Sequence, residues 1–390
     1  MKCIVVVGDG MADYPLEELG GRTPLEEADT PNLDHVASRG VCGLVRTIPE
    51  GMPPGSDIAN LSIMGYDPLK VYTGRAPLEA LSLGVELGNR VAFRCNFVSV
   101  EDGVLTDFTA GHISTDEAGE LVEALNSEFS QEGRFFTGLG YRHLFVCGYG
   151  EGVRTTPPHD IVGERIQGYL PEGSGDAERL RELMLRSKEV LEAHEVNLRR
   201  AEAGKRRANM IWLWGQGRKP SMRPFRSIYG VEGAVISAVD LVKGIGVAAG
   251  MRRVEVPGAT GYYDTNYEGK AEHALAALEE VEYCYVHVEA PDEAGHEGDA
   301  ELKVRCIEEL DRRLLGRVLD GCGEEVAVAV LPDHPTPVRV RTHTPDPVPV
   351  AVLYPGLRDD VRCFSERACA KGELGMMQAK ELNHLLLRHR

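Results

Sequence analysis

The stretch CIVVVGDG, residues 3–10, decides the fold of this 390-residue chain. Its five consecutive apolar residues, three of them valine, suit a strand covered on both faces, as in a parallel sheet. The run stops at Gly8-Asp9-Gly10 with no small-residue cleavage site, so it reads as a buried strand rather than a leader peptide. An acidic residue, Asp9, stands just past its end. The same signature recurs in YCYVHVEAPD (283–292) and VAVAVLPDHP (326–335), and PVPVAVLYPG (347–356) is a further buried strand.

Between these strands lie helical patterns, AEHALAALEEV (271–281) and ELKVRCIEELDRRLLGRVLD (301–320). TPNLDHVASRG (30–40) reads as a helix with Thr30 as N-cap, Pro31 in its first turn and Gly40 at its end. Strands alternating with helices predict an α/β fold built on a doubly wound, mostly parallel sheet. The middle of the chain differs. VAFRCNFVSVEDGVLTDFTAG (91–111) alternates like a hairpin around Glu101-Asp102-Gly103, RHLFVCGYG (142–150) is another strand, and residues 175–204 form one long amphipathic helical stretch. The expected organisation is a catalytic domain of residues 1–87 plus 223–390, interrupted by a smaller α+β domain, 88–222.

A net charge of −18 argues against nucleic acid as a partner, so an anionic substrate would need local positive charge from metal ions or a few arginines. No segment reaches 18 consecutive apolar residues, which predicts no membrane helix. Nine scattered cysteines, none in a C-x-x-C pair, suggest reduced thiols and a cytoplasmic location.

The chemistry-bearing residues follow the strands. Asp9, Asp292 and His296, Asp333 and His334, and His343 in the loop before the 347–356 strand all fall where ligands collect in open α/β sheets. Carboxylates with imidazoles suit Mn²⁺ or Zn²⁺, and so many ligands suit two ions better than one. Two metals can clamp the attacking and leaving oxygens of a phosphoryl group. MPPGSDIAN (52–60) adds Ser56, which reads either as a helix N-cap or as a nucleophile where a helix start favours phosphate. Singly, each residue has a plainer reading: Asp9 as a strand end, Asp292 and His296 as a helix-face pair, Asp333-His334 as a proline-held turn, His343 as a surface histidine.

Taken together, GDGMADYPLEELGGRTPLEEADTPNLD, PGSDIANLSIMGYDP, YTGRAPLEA, VAFRCNFVSVEDG, GAVISAVDLVKGIGVAAGM, DTNYEGKAEHAL, EAPDEAGHEGD, LPDHPTP and RTHTPDPVP resemble the archaeal-type 2,3-bisphosphoglycerate-independent phosphoglycerate mutases of the alkaline phosphatase superfamily. The resemblance spans essentially the whole chain. It implies an alkaline-phosphatase-like fold and Ser56 as nucleophile. It also implies one metal held by Asp9, Ser56, Asp333 and His334, and a second by Asp292, His296 and His343. The implied reaction interconverts 3- and 2-phosphoglycerate through phosphoserine, with two divalent ions, expected as Mn²⁺ (Zn²⁺, Co²⁺ or Mg²⁺ as substitutes), and no bisphosphoglycerate. Its substrate is a small phosphorylated acid, its partners include neither nucleic acid nor membrane, and it acts as a monomer or small homo-oligomer. His112, Arg142 and His159 in the inserted domain are candidate substrate-binding residues. AGHIS, TTPPHDIVGERI and NMIWLWGQG in that domain look more like a bacterial branch proposed as homoserine kinases, which is the alternative reading.

Overall fold

The computed structural model describes residues 2–173 and 175–387. The chain divides into two compact units, Met1–Tyr72 with Ser221–Arg390, and Thr73–Pro220. The inserted unit thus begins at Thr73, not at residue 88, and ends at Pro220. The reason is the helix Arg75–Ser82, whose Ala76 and Ala80 pack with Ala92, Leu144 and Val146 of the inserted unit's own sheet.

The larger unit is built on an eight-stranded sheet. In spatial order its strands are Gly375–Gln378, Val41–Arg46, Val348–Leu353, Ala327–Leu331, Cys3–Gly8, Tyr283–Val288, Gly233–Ile236 and Arg252–Arg253. Only Val348–Leu353 runs against the rest. Every residue of Cys3–Gly8, Tyr283–Val288 and Ala327–Leu331 is buried, as continuous apolar runs require when helices cover both faces. Register aligns the strand ends. Val7 stands opposite both His287 and Leu331, and Gly8 opposite Val288. The segments carrying Asp9, Asp292 and Asp333 therefore leave the sheet at one edge.

The helix Pro31–Arg39 has Thr30 at its N-cap position, Pro31 in its first turn and Gly40 at its end, but the Thr30 side chain makes no capping hydrogen bond. The buried carboxylate of Asp311 does so from a distant segment, accepting from the backbone N–H of Leu33 at 2.7 Å and of Asn32 at 3.3 Å. A contact nearly three hundred residues away thus takes over the role that local sequence assigns to threonine.

In the inserted unit, Val91–Glu101 pairs antiparallel with Val104–Asp107, Arg142–Cys147 and Met210–Arg218, and Arg134–Phe136 adds to Arg142–Cys147. Asp102 and Gly103 both have positive φ, as the hairpin turn demands. The long amphipathic stretch is two helices, Gly175–Ala193 and Glu195–Glu202, because the His194 ring caps the second by accepting from the Val196 N–H. Among the described residues no helix is long and apolar enough to cross a membrane. All nine cysteines are free.

Candidate metal centre

Ser56 is not the N-cap of its helix. Gly55 holds that position, and Ser56 opens the first turn of Ser56–Ile63. Its hydroxyl is instead turned into the sheet edge, 3.1 Å from His334 Nε2 and 3.5 Å from Asp9 Oδ2. The plainer reading of this serine therefore fails on geometry.

Two groups of ligand-type side chains surround this point, each with its donor atoms within 4.8 Å of one another: Asp9, Asp333 and His334, all buried, and Asp292, His296 and His343. In the first, His334 Nε2 lies 3.5 Å from Asp9 Oδ1 and 3.6 Å from Asp333 Oδ2. In the second, Asp292 Oδ2 is 3.3 Å from His296 Nε2, Asp292 Oδ1 is 3.5 Å from His343 Nε2, and the two imidazole nitrogens are 3.0 Å apart. Asp292 and His296 do share a helix face, on Ala290–Glu297, but that face is turned toward His343. The rings of His334 and His343, 4.1 Å apart between centroids, join the two groups.

The donors are oriented from behind. Asp333 Oδ1 accepts from the backbone N–H of Gly10 (3.1 Å) and of His334 (2.9 Å), and its Oδ2 accepts from Asn60 Nδ2 at 2.9 Å. Asn60 Oδ1 in turn accepts from the Tyr285 hydroxyl. The Thr336 hydroxyl donates to Asp292 Oδ1. His296 Nδ1 lies 3.0 Å from the Arg341 carbonyl, so that nitrogen carries the hydrogen whenever the ring is neutral and leaves Nε2 as the free donor. Gly10 is required: its φ is +62°, and a Cβ there would stand 2.5 Å from Asp292 Oδ1 and 2.6 Å from Thr336 Oγ1.

These residues fit bound cations. Asp9 Oδ1 is buried with no hydrogen-bond partner among the described residues, although it faces the centre of its group. Burial, then the nearby charges of Asp333, Asp292 and Glu289, push the Asp9 carboxyl well above the usual range. So many carboxylates packed away from water repel one another, and a divalent ion removes that repulsion. Burial would raise Asp292 too, but the hydrogen bonds of His296 and His343 and the charge of His334 outweigh it and hold its pKa low. The hydrogen bond to Asp292 raises His296 to about 9, and burial lowers His334. Carboxylates mixed with imidazoles are the donor set of Mn²⁺, Zn²⁺ and similar ions.

Comparison with known proteins agrees with this architecture. Residues 37–197 match the family model described as 2,3-bisphosphoglycerate-independent phosphoglycerate mutase. A relative of that name from Methanothermobacter thermautotrophicus is 57% identical, over 99% of this chain and 97% of its own. The chain belongs to the 2,3-bisphosphoglycerate-independent phosphoglycerate mutase family. A probable mutase of this family from Geobacter sulfurreducens is 54% identical over 91% of each chain. Among solved structures, a Pyrococcus horikoshii protein matches at a TM-score of 0.87 and 34% identity, covering 100% of this chain and 98% of that one. The Thermoplasma acidophilum cofactor-independent phosphoglycerate mutase matches at 0.68 and 27%, covering 100% and 99%. The homoserine kinase alternative finds no support among these relatives.

The seven metal and nucleophile candidates of this family member thus lie together. The three substrate candidates belong to the other unit and do not form one cluster. His159 packs edge-on against Trp214 (5.4 Å) and Phe108 (6.1 Å); Phe108 meets Tyr141, over whose ring the Arg142 guanidinium lies at 5.8 Å. Arg94 stacks on the same Trp214 at 4.3 Å, a residue that sequence reasoning missed. His112 is exposed in a tight turn with φ +49°. Also missed were His287, Asn60, Thr336 and Lys303. Lys303 is fully buried, and its Nζ donates to Asp13 Oδ2 (2.8 Å), the Thr336 carbonyl (2.9 Å) and the Ala12 carbonyl (3.1 Å).

Proposed function

We propose that the chain interconverts 3-phosphoglycerate and 2-phosphoglycerate without bisphosphoglycerate, by way of phosphoserine at Ser56. The observation that carries this is the Ser56 hydroxyl: free of capping duty, in the first turn of a helix, and faced by Asp9 and His334. In the first half-reaction Ser56 Oγ attacks phosphorus, the bond from phosphorus to the substrate oxygen breaks, and the proton lost by Ser56 ends on glycerate. In the second, the neighbouring glycerate hydroxyl attacks phosphoserine and the Ser56 oxygen leaves, recovering a proton. The N–H groups at the start of Ser56–Ile63 favour the transferring phosphoryl group.

Asp9, Ser56, Asp333 and His334 would hold one divalent ion and Asp292, His296 and His343 the other, with Mn²⁺ the expected ion and Zn²⁺, Co²⁺ or Mg²⁺ as substitutes. When bound, such ions neutralise phosphoryl charge and make the serine hydroxyl a better nucleophile. Arg142, His159 and His112 are proposed to hold the glycerate moiety while it turns, the unit 73–220 acting as a substrate-binding lid that keeps out hydrolytic water. Free cysteines accord with a cytoplasmic enzyme, working as a monomer or small homo-oligomer.

The test is turnover of 3-phosphoglycerate with Mn²⁺ and no added bisphosphoglycerate, coupled to enolase, beside a parallel reaction of homoserine with ATP. Turnover in the first alone is expected. Turnover in the second alone would overturn the substrate assignment.

A further inference from the structure

His287 lies in the middle of the sheet with no exposed surface, yet its ring reaches the metal centre. It sits on Tyr283–Val288 two residues after Tyr285, so both side chains project from one face of that strand. Tyr285 acts on Asp333 through Asn60. His287 acts more directly: its Nε2 lies 3.2 Å from Asp9 Oδ2 and 4.0 Å from Asp333 Oδ2. That nitrogen has no hydrogen-bond partner among the described residues, standing instead between two carboxylates.

The carboxylates around Nε2 point to the tautomer, and the partner of the other ring nitrogen is compatible with it. A bare lone pair on Nε2 would face two carboxylate oxygens and be repelled by both, so Nε2 carries the hydrogen. Nδ1 is then an acceptor, and Ser237 Oγ is 3.4 Å away. Ser237 Oγ already accepts the Val239 N–H at 3.0 Å, which leaves its own hydrogen for Nδ1. Ser237, at the end of the neighbouring strand Gly233–Ile236, thus completes a chain of hydroxyl, imidazole and carboxylates.

We infer that His287, oriented by Ser237, is a positioning residue for the Asp9–Asp333–His334 group. Its N–H draws Asp9 Oδ2 and Asp333 Oδ2 toward one buried point and leaves Asp9 Oδ1 facing the group's centre. The inference rests on the two-cation reading above, and it assigns His287 to one group only. Groups that orient metal ligands from behind typically change affinity by about 10–100-fold when removed.

The test is calorimetric titration of Mn²⁺ into the metal-free protein and into His287→Phe, His287→Gln and Ser237→Ala. Phe keeps most of the ring volume and removes the N–H. Gln loses the ring but returns an N–H near the Nε2 position. The expected result is two Mn²⁺ per wild-type chain. In His287→Phe one of them binds about 10–100-fold more weakly, and the site lost with Asp292→Asn is unaffected. His287→Gln recovers most of the loss, and Ser237→Ala, a smaller change to the packing, shows a lesser loss at the same site. A packing role alone predicts the reverse order, because Gln buries an ill-fitting polar group where Phe does not. Phe equal to wild type, or Gln weaker than Phe, overturns the inference while leaving the two-cation reading intact. Fewer than two Mn²⁺ on the wild type overturns both.

Discussion

Replacing Lys303 by Met is expected to destabilise the larger unit severely. The ammonium group is fully buried on the helix Ala300–Glu309 and uses all three hydrogens, on Asp13 Oδ2, the Thr336 carbonyl and the Ala12 carbonyl. Met fills a similar volume but leaves Asp13 as a buried, uncompensated carboxylate. Breaking a buried pair from one side in this way costs about 3–5 kcal/mol. Part of the charge remains solvated by protein, since Asp13 Oδ2 also accepts from the Val338 N–H at 3.0 Å and Oδ1 from the Tyr14 N–H at 2.7 Å. These bonds favour the lower half of the range. With a urea m-value of about 3 kcal/mol/M, the midpoint falls by about 1–1.3 M.

The assay is urea unfolding followed by far-ultraviolet circular dichroism, with tryptophan fluorescence recorded in parallel. Both tryptophans, Trp212 and Trp214, belong to the other unit, so fluorescence is an internal control and its transition should move less. Adding Asp13→Asn to Lys303→Met removes the stranded charge and should recover part of the loss. A midpoint shift below about 0.3 M for Lys303→Met would refute the reasoning, because it corresponds to less than about 1 kcal/mol. The consequence for the metal centre follows from the chain path. Lys303 ties together the segment after Asp9 and the segment after His334, so the variant should also bind Mn²⁺ more weakly at both sites.

Ser56→Ala should abolish interconversion of the two phosphoglycerates while still binding Mn²⁺ at the Asp292 group; retained turnover would refute the nucleophile. Gly10→Ala should cost about 1–2 kcal/mol from its left-handed backbone alone, and its Cβ, directed at Asp292 Oδ1, should weaken Mn²⁺ binding by calorimetry. His296, raised from 6.5 to about 9 by Asp292, stabilises the metal-free protein fully below pH 6.5, and that contribution is lost as pH rises through about 9. Mn²⁺ must displace the same proton, so its affinity at this site should rise between pH 6.5 and 9 with proton release; flat affinity across that window would contradict the assigned ion pair.

The sequence made the candidate metal centre legible because its ligand-type residues carry unusual chemistry just past apolar runs. Asp9, Asp292 and Asp333 could be placed at one edge from strand pattern alone, and register then brings them together. What surrounds them was not legible. His287 sits within YCYVHV, where it reads as one more core residue, and Lys303 sits within ELKVRC, where it reads as a surface charge. Their partners are distant in sequence, so no local spacing announces them. Thr30 shows the converse: it has the right identity and position for a cap, but Asp311 arrives from another segment and replaces it. The inserted unit gave up least. Its antiparallel strands follow from alternation, but the packing of Arg94 and His159 on Trp214 depends on pairings that a single sequence does not encode locally.

The most direct test of the account is to mix enzyme, Mn²⁺ and 3-phosphoglycerate, quench within a single turnover, and locate covalent phosphate by peptide mass spectrometry. The account predicts one phosphoryl group on Ser56 that appears and decays with turnover and is absent from Ser56→Ala. Turnover with an unmodified Ser56 throughout, or with phosphate on another residue, would contradict it.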